Sequence, residues 1–109
     1  MIHKQMKELI GKRKLIHPQD DEGTEYYWKL ELEVLKVSLE ATIEYINAAS
    51  EDEIYWCAEV WEDLSAFWKS QQLIEAMENC QKRYPNIAKN IQVDIDFAKK
   101  ALNYDKWYN

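Results

Sequence analysis

In the stretch EDEIYWCAEVWEDLSAFWKS, residues 51–70, six carboxylates and three of the chain's five tryptophans share twenty positions. Carboxylates so placed can exchange protons in a hydrolysis, hold a divalent cation, or grip the arginines and lysines of a partner. The first two chemistries want helpers. A di-metal helical bundle uses Glu-x-x-His motifs on facing helices, and no histidine follows His17. Glu59, Glu62 and Asp63 find no matching ligand set elsewhere in the chain, so no metal and no cofactor is expected. His3 and His17 form no relay pattern with serine or cysteine, and Gly11 and Gly23 stand alone rather than in a phosphate loop. The chain is not expected to be an enzyme.

Binding remains. Glu51, Asp52 and Glu53 have a structural reason to be acidic, because negative side chains in a first helical turn complement the helix dipole. Glu59 and Asp63 have none. On a continuous helix they stand at i,i+4, where like charges repel by about 0.2–0.5 kcal/mol, and no cation is three or four residues from either. Glu40 and Glu44 repeat that spacing. Tyr55 falls near Glu59 and Glu62 on the outer side, an arrangement suited to an arginine or lysine. Trp107 and Tyr108, in the terminal NYDKWYN, either fold back or form a second contact patch, and the second option leaves a homodimer open. The bland alternative is an acidic face kept for solubility. Trp56, Trp61 and Phe67 are read as core.

These groups need a scaffold. At 109 residues with 47% hydrophobic content the chain can fold as one domain, and two glycines with two prolines leave little for β-turns. An all-α fold of about five antiparallel helices is expected, with HEAT- or armadillo-like stacking as one arrangement. No window reaches the length of a membrane span and no signal-peptide core is present, so a cytoplasmic protein is expected. Cys57 and Cys80 lack metal-ligand spacing and read as small buried hydrophobes.

Periodicity divides the chain into a basic N-terminal helix within 1–17, a helical core over 24–103 and an aromatic tail over 104–109. Ile2, Met6, Leu9 and Ile10 stripe the first helix, which ends before the connection HPQDDEG. Lys29, Glu33, Lys36, Glu40 and Glu44 recur as one face of a single helix from Glu25 to about Ala48, with Leu32, Leu35, Leu39, Ile43 and Ile46 as another. Ser50 and Glu53 match a capping box that opens a helix running to Phe67 or Trp68, with Trp56, Cys57, Val60, Trp61, Leu64 and Phe67 inward. Leu73, Met77, Cys80 and Tyr84 stripe the next helix, in which Glu78 and Lys82 form a supportive pair. Pro85 opens the last, striped by Ile87, Ile91, Ile95, Ala98 and Leu102.

Charge is segregated along the chain. Residues 1–17 carry five cations against Glu8, residues 18–78 carry sixteen carboxylates against three lysines, and residues 79–109 return to +3. The acidic middle attracts cationic partners and repels nucleic acid.

From Glu44 to Leu102 the chain resembles small bacterial immunity proteins that neutralise polymorphic or contact-dependent growth-inhibition toxins. The segments SEDEIYWCAEVWEDL, SQQLIEAMENC and RYPNIAKNIQVDIDFAKKAL carry the likeness, which covers a little over half the chain and omits the basic N-terminal segment. The resemblance implies stoichiometric inhibition of a toxin domain, many such toxins being nucleases with cationic substrate grooves. Tyr55, Glu59, Glu62, Asp63, Glu40, Glu44, Trp107 and Tyr108 are then the expected contacts. Charge reversal at Glu59 and Asp63 is expected to weaken the complex and leave thermal stability nearly unchanged. The other reading is an acidic helical adaptor or regulatory module with a non-toxic partner.

Overall fold

Side-chain caps decide where the helices of this protein begin. In the computed structural model, which describes residues 2–104, Asp20 accepts the Gly23 amide at 2.9 Å and Ser38 that of Ala41 at 3.2 Å. Ser50 likewise accepts from Glu53 at 3.3 Å, and Ser70 from Leu73 at 3.2 Å. Each oxygen satisfies one of the amides that a first turn leaves without a partner. The elements are α1 (Ile2–Arg13), α2 (Asp21–Leu35), α3 (Leu39–Ala48), α4 (Glu51–Cys57), a 3₁₀ turn (Ala58–Val60), α5 (Trp61–Trp68), α6 (Gln71–Arg83), a second 3₁₀ turn (Pro85–Ile87) and α7 (Ala88–Ala101). The fold is all-α, and there is no strand among the described residues. Taking α4 through α5 as one interrupted rod gives six helices rather than five.

The extra helix comes from a break where a continuous helix is expected. α2 ends at Leu35 and α3 starts at Leu39, with Ser38 extended at φ −149° and ψ 122°. The periodicity hid this break because Leu35 and Ile46 are buried on either side of it, and Leu32, Leu39 and Ile43 pack partly buried beside them. The break is stapled by side chains: the Leu35 carbonyl accepts from Thr42 Oγ1 at 2.7 Å and from Trp68 Nε1 at 3.0 Å. Ser38→Ala should cost about 1 kcal/mol in urea denaturation, the usual value of an N-cap oxygen. A loss below a few tenths would mean that the staple alone sets the break. α2 also begins earlier than Glu25, at Asp21. Gly23 lies in its first turn, where a Cβ would come within 2.5 Å of Asp20 Oδ2, so the glycine makes room for the cap.

Helix pairs pack across the sequence: α1 lies on α2, α3 on α6, and α7 on both α5 and α6. With extents of 34 × 34 × 28 Å the helices form a near-isometric bundle rather than a row of stacked pairs. Trp61, Tyr45, Ile54, Leu64, Met77, Ile91 and Ile95 fill its centre, and Met6 and Ile10 bring α1 into the same core. Cys57 and Cys80 are free and buried, packing as small hydrophobes. Polar bonds fix the register of the layers. Ser65 Oγ donates to Ala98 O at 2.6 Å, joining α5 to α7. Arg83 Nη2 donates to Ile46 O at 2.7 Å and Tyr84 Oη to Ala49 O at 2.6 Å, so a cation and a hydroxyl close the C-terminal end of α3.

Two side chains depart from expectation. Phe67 is 52% exposed, not inward; it meets Trp68 edge-on and lies under the Lys36 ammonium at 4.9 Å. Trp61 and Leu64 hold the centre of the inward stripe, fully buried, and Trp68 packs partly buried on it, so Phe67 falls at its edge and faces solvent. Glu78 pairs with Lys99 of α7 at 2.8 Å rather than with Lys82 of its own helix. No helix is long and apolar enough to cross a membrane, among the described residues.

Candidate protein-binding site

The basic N-terminal helix docks its cations on the acidic middle of the same chain. Arg13, in the last turn of α1, reaches Glu59 on the 3₁₀ turn with both arms of its guanidinium: Nε to Oε2 at 3.1 Å and Nη2 to Oε1 at 2.6 Å. Trp28 Nε1, from α2, donates to the same Oε2 at 2.8 Å. The Arg13 guanidinium also lies 5.3 Å from the centre of the Trp56 ring, which adds a cation–π contact to the forked ion pair. Lys14 pairs with Asp52, and its ammonium lies 5.9 Å from the centre of the Trp56 ring. The sequence-based view of Glu59 is thus corrected. It lies outside the regular α-helix and is not an uncompensated acid, because its counterion arrives from 46 residues away.

Beside this pair opens a cleft of about 210 Å³, lined by Tyr55, Trp56 and Glu59 with Asn90 and Asp94 of α7. Tyr55 is 44% exposed and meets Trp56 edge-on at 5.7 Å, so an aromatic wall faces two carboxylates. Asp94 is half-buried. Burial first, then the charges of Glu59 and Glu62, push its carboxyl up to about 6 from its ordinary 3.8. No cation pairs with Asp94 among the described residues. Glu62 accepts the Tyr104 hydroxyl at 2.6 Å, which orients it from the end of α7.

Deeper in the core lies Glu31 of α2, fully buried, with neither carboxylate oxygen hydrogen-bonded. Burial, with a smaller push from Glu59 and a partial offset from Arg13, raises this carboxyl to about 8. The side chain therefore keeps its proton at neutral pH. Around it, Tyr45 Oη donates to Glu53 at 2.8 Å, and burial drives both the Tyr45 hydroxyl and the Cys57 thiol upward, so neither ionises.

Of the expected contacts, the structure brings Tyr55, Glu59 and Glu62 into one electrostatic unit with Asp94. Asp63 is exposed but turns elsewhere, lining a groove between α2 and α5 with Leu32 and Lys36. That groove is larger, about 540 Å³, yet its walls mix Lys29 and Lys36 with Glu25, Glu33 and Asp63, so it selects no sign of charge. Glu40 and Glu44 are exposed on α3 and do not line the acidic cleft. Trp107 and Tyr108 lie outside the described residues. Sequence reasoning missed Arg13, Trp28, Glu31, Asn90 and Asp94. For Glu31 a signal existed, because a charge four residues before the core residue Leu35 falls on the inward stripe.

Among the described residues, no group of three or more histidine, cysteine, aspartate or glutamate side chains is arranged to hold a metal ion. What the cleft can do chemically is accept a guanidinium or ammonium between its rings and carboxylates. The chain is an all-helical bundle with an acidic–aromatic cleft at the junction of α4, the 3₁₀ turn and α7. No protein-family model, no curated protein and no solved structure matches it.

Proposed function

We propose that this chain is a stoichiometric binder of a cationic protein, and that the partner is a bacterial toxin domain of the kind that immunity proteins neutralise. One observation carries the binding part: Asp94 is held beside Glu59 and Glu62 with no cation paired to it among the described residues, at the rim of an aromatic cleft. Such crowding raises the energy of the free protein and is relieved by an incoming positive charge. The toxin part rests on the resemblance of residues 44–102 to immunity proteins. If the toxin is a nuclease, its basic groove meets the cleft where phosphates would otherwise lie, and long-range attraction speeds the encounter.

The test is capture of partners on the immobilised protein from its native host, followed by growth rescue. One tight partner whose isolated domain kills cells, with rescue by this chain in equal amount, supports the proposal; a single tight partner that is harmless turns the assignment to an adaptor. Asp94→Lys should weaken the captured complex by about 10- to 100-fold, equivalent to about 1.4–2.8 kcal/mol, while thermal stability stays equal or rises. Affinity unchanged by Asp94→Lys removes this cleft from the interface. The sign of the pH effect follows from Asp94, whose carboxyl titrates at about 6. A cation binds the ionised form, so affinity should fall about tenfold as pH drops from 7 to 5.

A further inference from the structure

Three exposed apolar side chains stand around one carboxylate. α7 is unbroken from Ala88 to Ala101, so Asn90, Asp94 and Phe97 share one face at i, i+4 and i+7, and Val93 precedes Phe97 by one turn. Val93 and Phe97 are both exposed. Tyr55, also exposed, meets Asp94 from the α4 side, across the cleft that both line with Trp56, Glu59 and Asn90. Apolar groups left in water around a charge match the centre of a protein interface, where aromatic side chains surround a charged anchor.

The polar groups of the cleft are unequal. Glu59 already accepts two hydrogen bonds from Arg13 and one from Trp28, which leaves it little further capacity. Among the described residues, no side-chain hydrogen bond uses Tyr55, Asn90 or Asp94. The open acceptors therefore lie along α7, and aromatic rings face them from α4. This one-sided arrangement suits a planar cation. A guanidinium donates from its edge and leaves its faces free to lie against a ring, whereas an ammonium points three donors in a tripod and needs acceptors on several sides. The chain makes the same choice internally: Arg13 gives its edge to Glu59 with its guanidinium 5.3 Å from the Trp56 ring centre, and the more exposed Lys14 stays outside with Asp52.

Resting on the proposal that the cleft binds a cationic protein, we infer that it takes one arginine side chain of that partner in preference to a lysine, with an apolar side chain of the same segment beside it on Val93 and Phe97. The guanidinium forks onto Asp94, the Asn90 carbonyl accepts a further N–H, and the Tyr55 ring covers one face. Arg13 stays on Glu59, so that carboxylate adds its charge to the site without changing partners. The Lys100 ammonium lies 5.6 Å from the centre of the Phe97 ring, which leaves this ridge to an apolar group and disfavours a second cation. What is recognised is thus an arginine next to an apolar side chain, a narrower requirement than positive charge.

The test follows the NMR signals of the intact, isotope-labelled chain as three probes are added: acetyl-arginine methylamide, acetyl-lysine methylamide and acetyl-arginyl-leucine methylamide. The arginine probe should shift the amides of Tyr55, Asn90 and Asp94 and the Trp56 indole saturably, and the lysine probe should bind at least about fivefold more weakly. Adding the leucine should tighten binding about threefold or more. Asp94→Asn should weaken both arginine probes about fivefold, and Phe97→Ser should remove only the gain from leucine. Both replacements are at solvent-accessible positions of one helix, and the rest of each spectrum reports an intact fold. Arginine and lysine probes that bind equally, each dependent on Asp94, overturn the arginine preference and leave the cation seat standing. No gain from leucine, or a gain that survives Phe97→Ser, overturns the apolar half. No saturable shift at the cleft from any probe, or shifts indifferent to Asp94→Asn, overturns the cation seat and the inference with it.

Discussion

Replacing Glu59 with alanine should lower the unfolding free energy by about 3–5 kcal/mol, and α1 should loosen first. The Arg13 side chain is only 13% exposed and the Glu59 side chain 23%, so the pair is largely withdrawn from water. Taking away the carboxylate strands a guanidinium in that setting and leaves Trp28 Nε1 without its acceptor. The loss is therefore the penalty of an unpaired buried charge, not the worth of a surface ion pair, which is at most about 1 kcal/mol. Urea denaturation gives the total, and amide exchange across Ile2–Arg13 locates it. A double replacement, Arg13→Met with Glu59→Leu, should recover most of the loss, because neither charge is then left alone. A single-mutant loss under about 1 kcal/mol would show that water solvates the pair after all. This outcome departs from what the sequence suggests, namely that charge reversal at Glu59 leaves stability nearly unchanged. That expectation stands only for Asp63, which is exposed and has no salt-bridge partner among the described residues.

The contrast between Glu59 and Asp63 shows where sequence reasoning reaches its limit. Period-three and period-four stripes located the buried residues of α6 and α7 well: Leu73, Met77, Cys80, Ile91, Ile95 and Ala98 are all enclosed. Those helices are uninterrupted, so the angle between any two residues follows from their separation. The same arithmetic failed for Glu59, whose counterion Arg13 comes from a distant helix, and for Phe67, which falls at the edge of a stripe whose centre Trp61 and Leu64 hold. It failed at Lys36–Ser38 for another reason. The break preserves the inward phase of Leu35 and Ile46, so the apolar pattern reads through it. The serine before the acidic residue Glu40 was the local signal there, as Ser50 was for α4. The site depends on contacts between distant segments, Arg13 with Glu59 and Glu62 with Tyr104, which no local spacing encodes. Charge segregation came closest, since a segment of +4 beside one of −13 is as easily paired within one molecule as between two.

Glu31→Gln should make the protein more stable than wild type, and the difference should grow as pH rises from 5 to 8. The sign follows from proton binding. In the unfolded chain Glu31 releases its proton near the ordinary 4.5, whereas in the folded protein it keeps it until about 8. Between those values the folded state binds more protons, so its stability falls with rising pH, by up to about 1.4 kcal/mol per pH unit from this one group. At pH 7 the accumulated penalty is on the order of 3 kcal/mol. Glutamine carries no titrating proton, so the variant lacks this slope, while Asp94, present in both proteins, subtracts out. Below pH 4.5 the two should converge, because Glu31 is then protonated whether folded or not. Urea midpoints measured at pH 5, 6, 7 and 8 give the comparison; parallel curves would mean that Glu31 is ionised and partnered in the folded state.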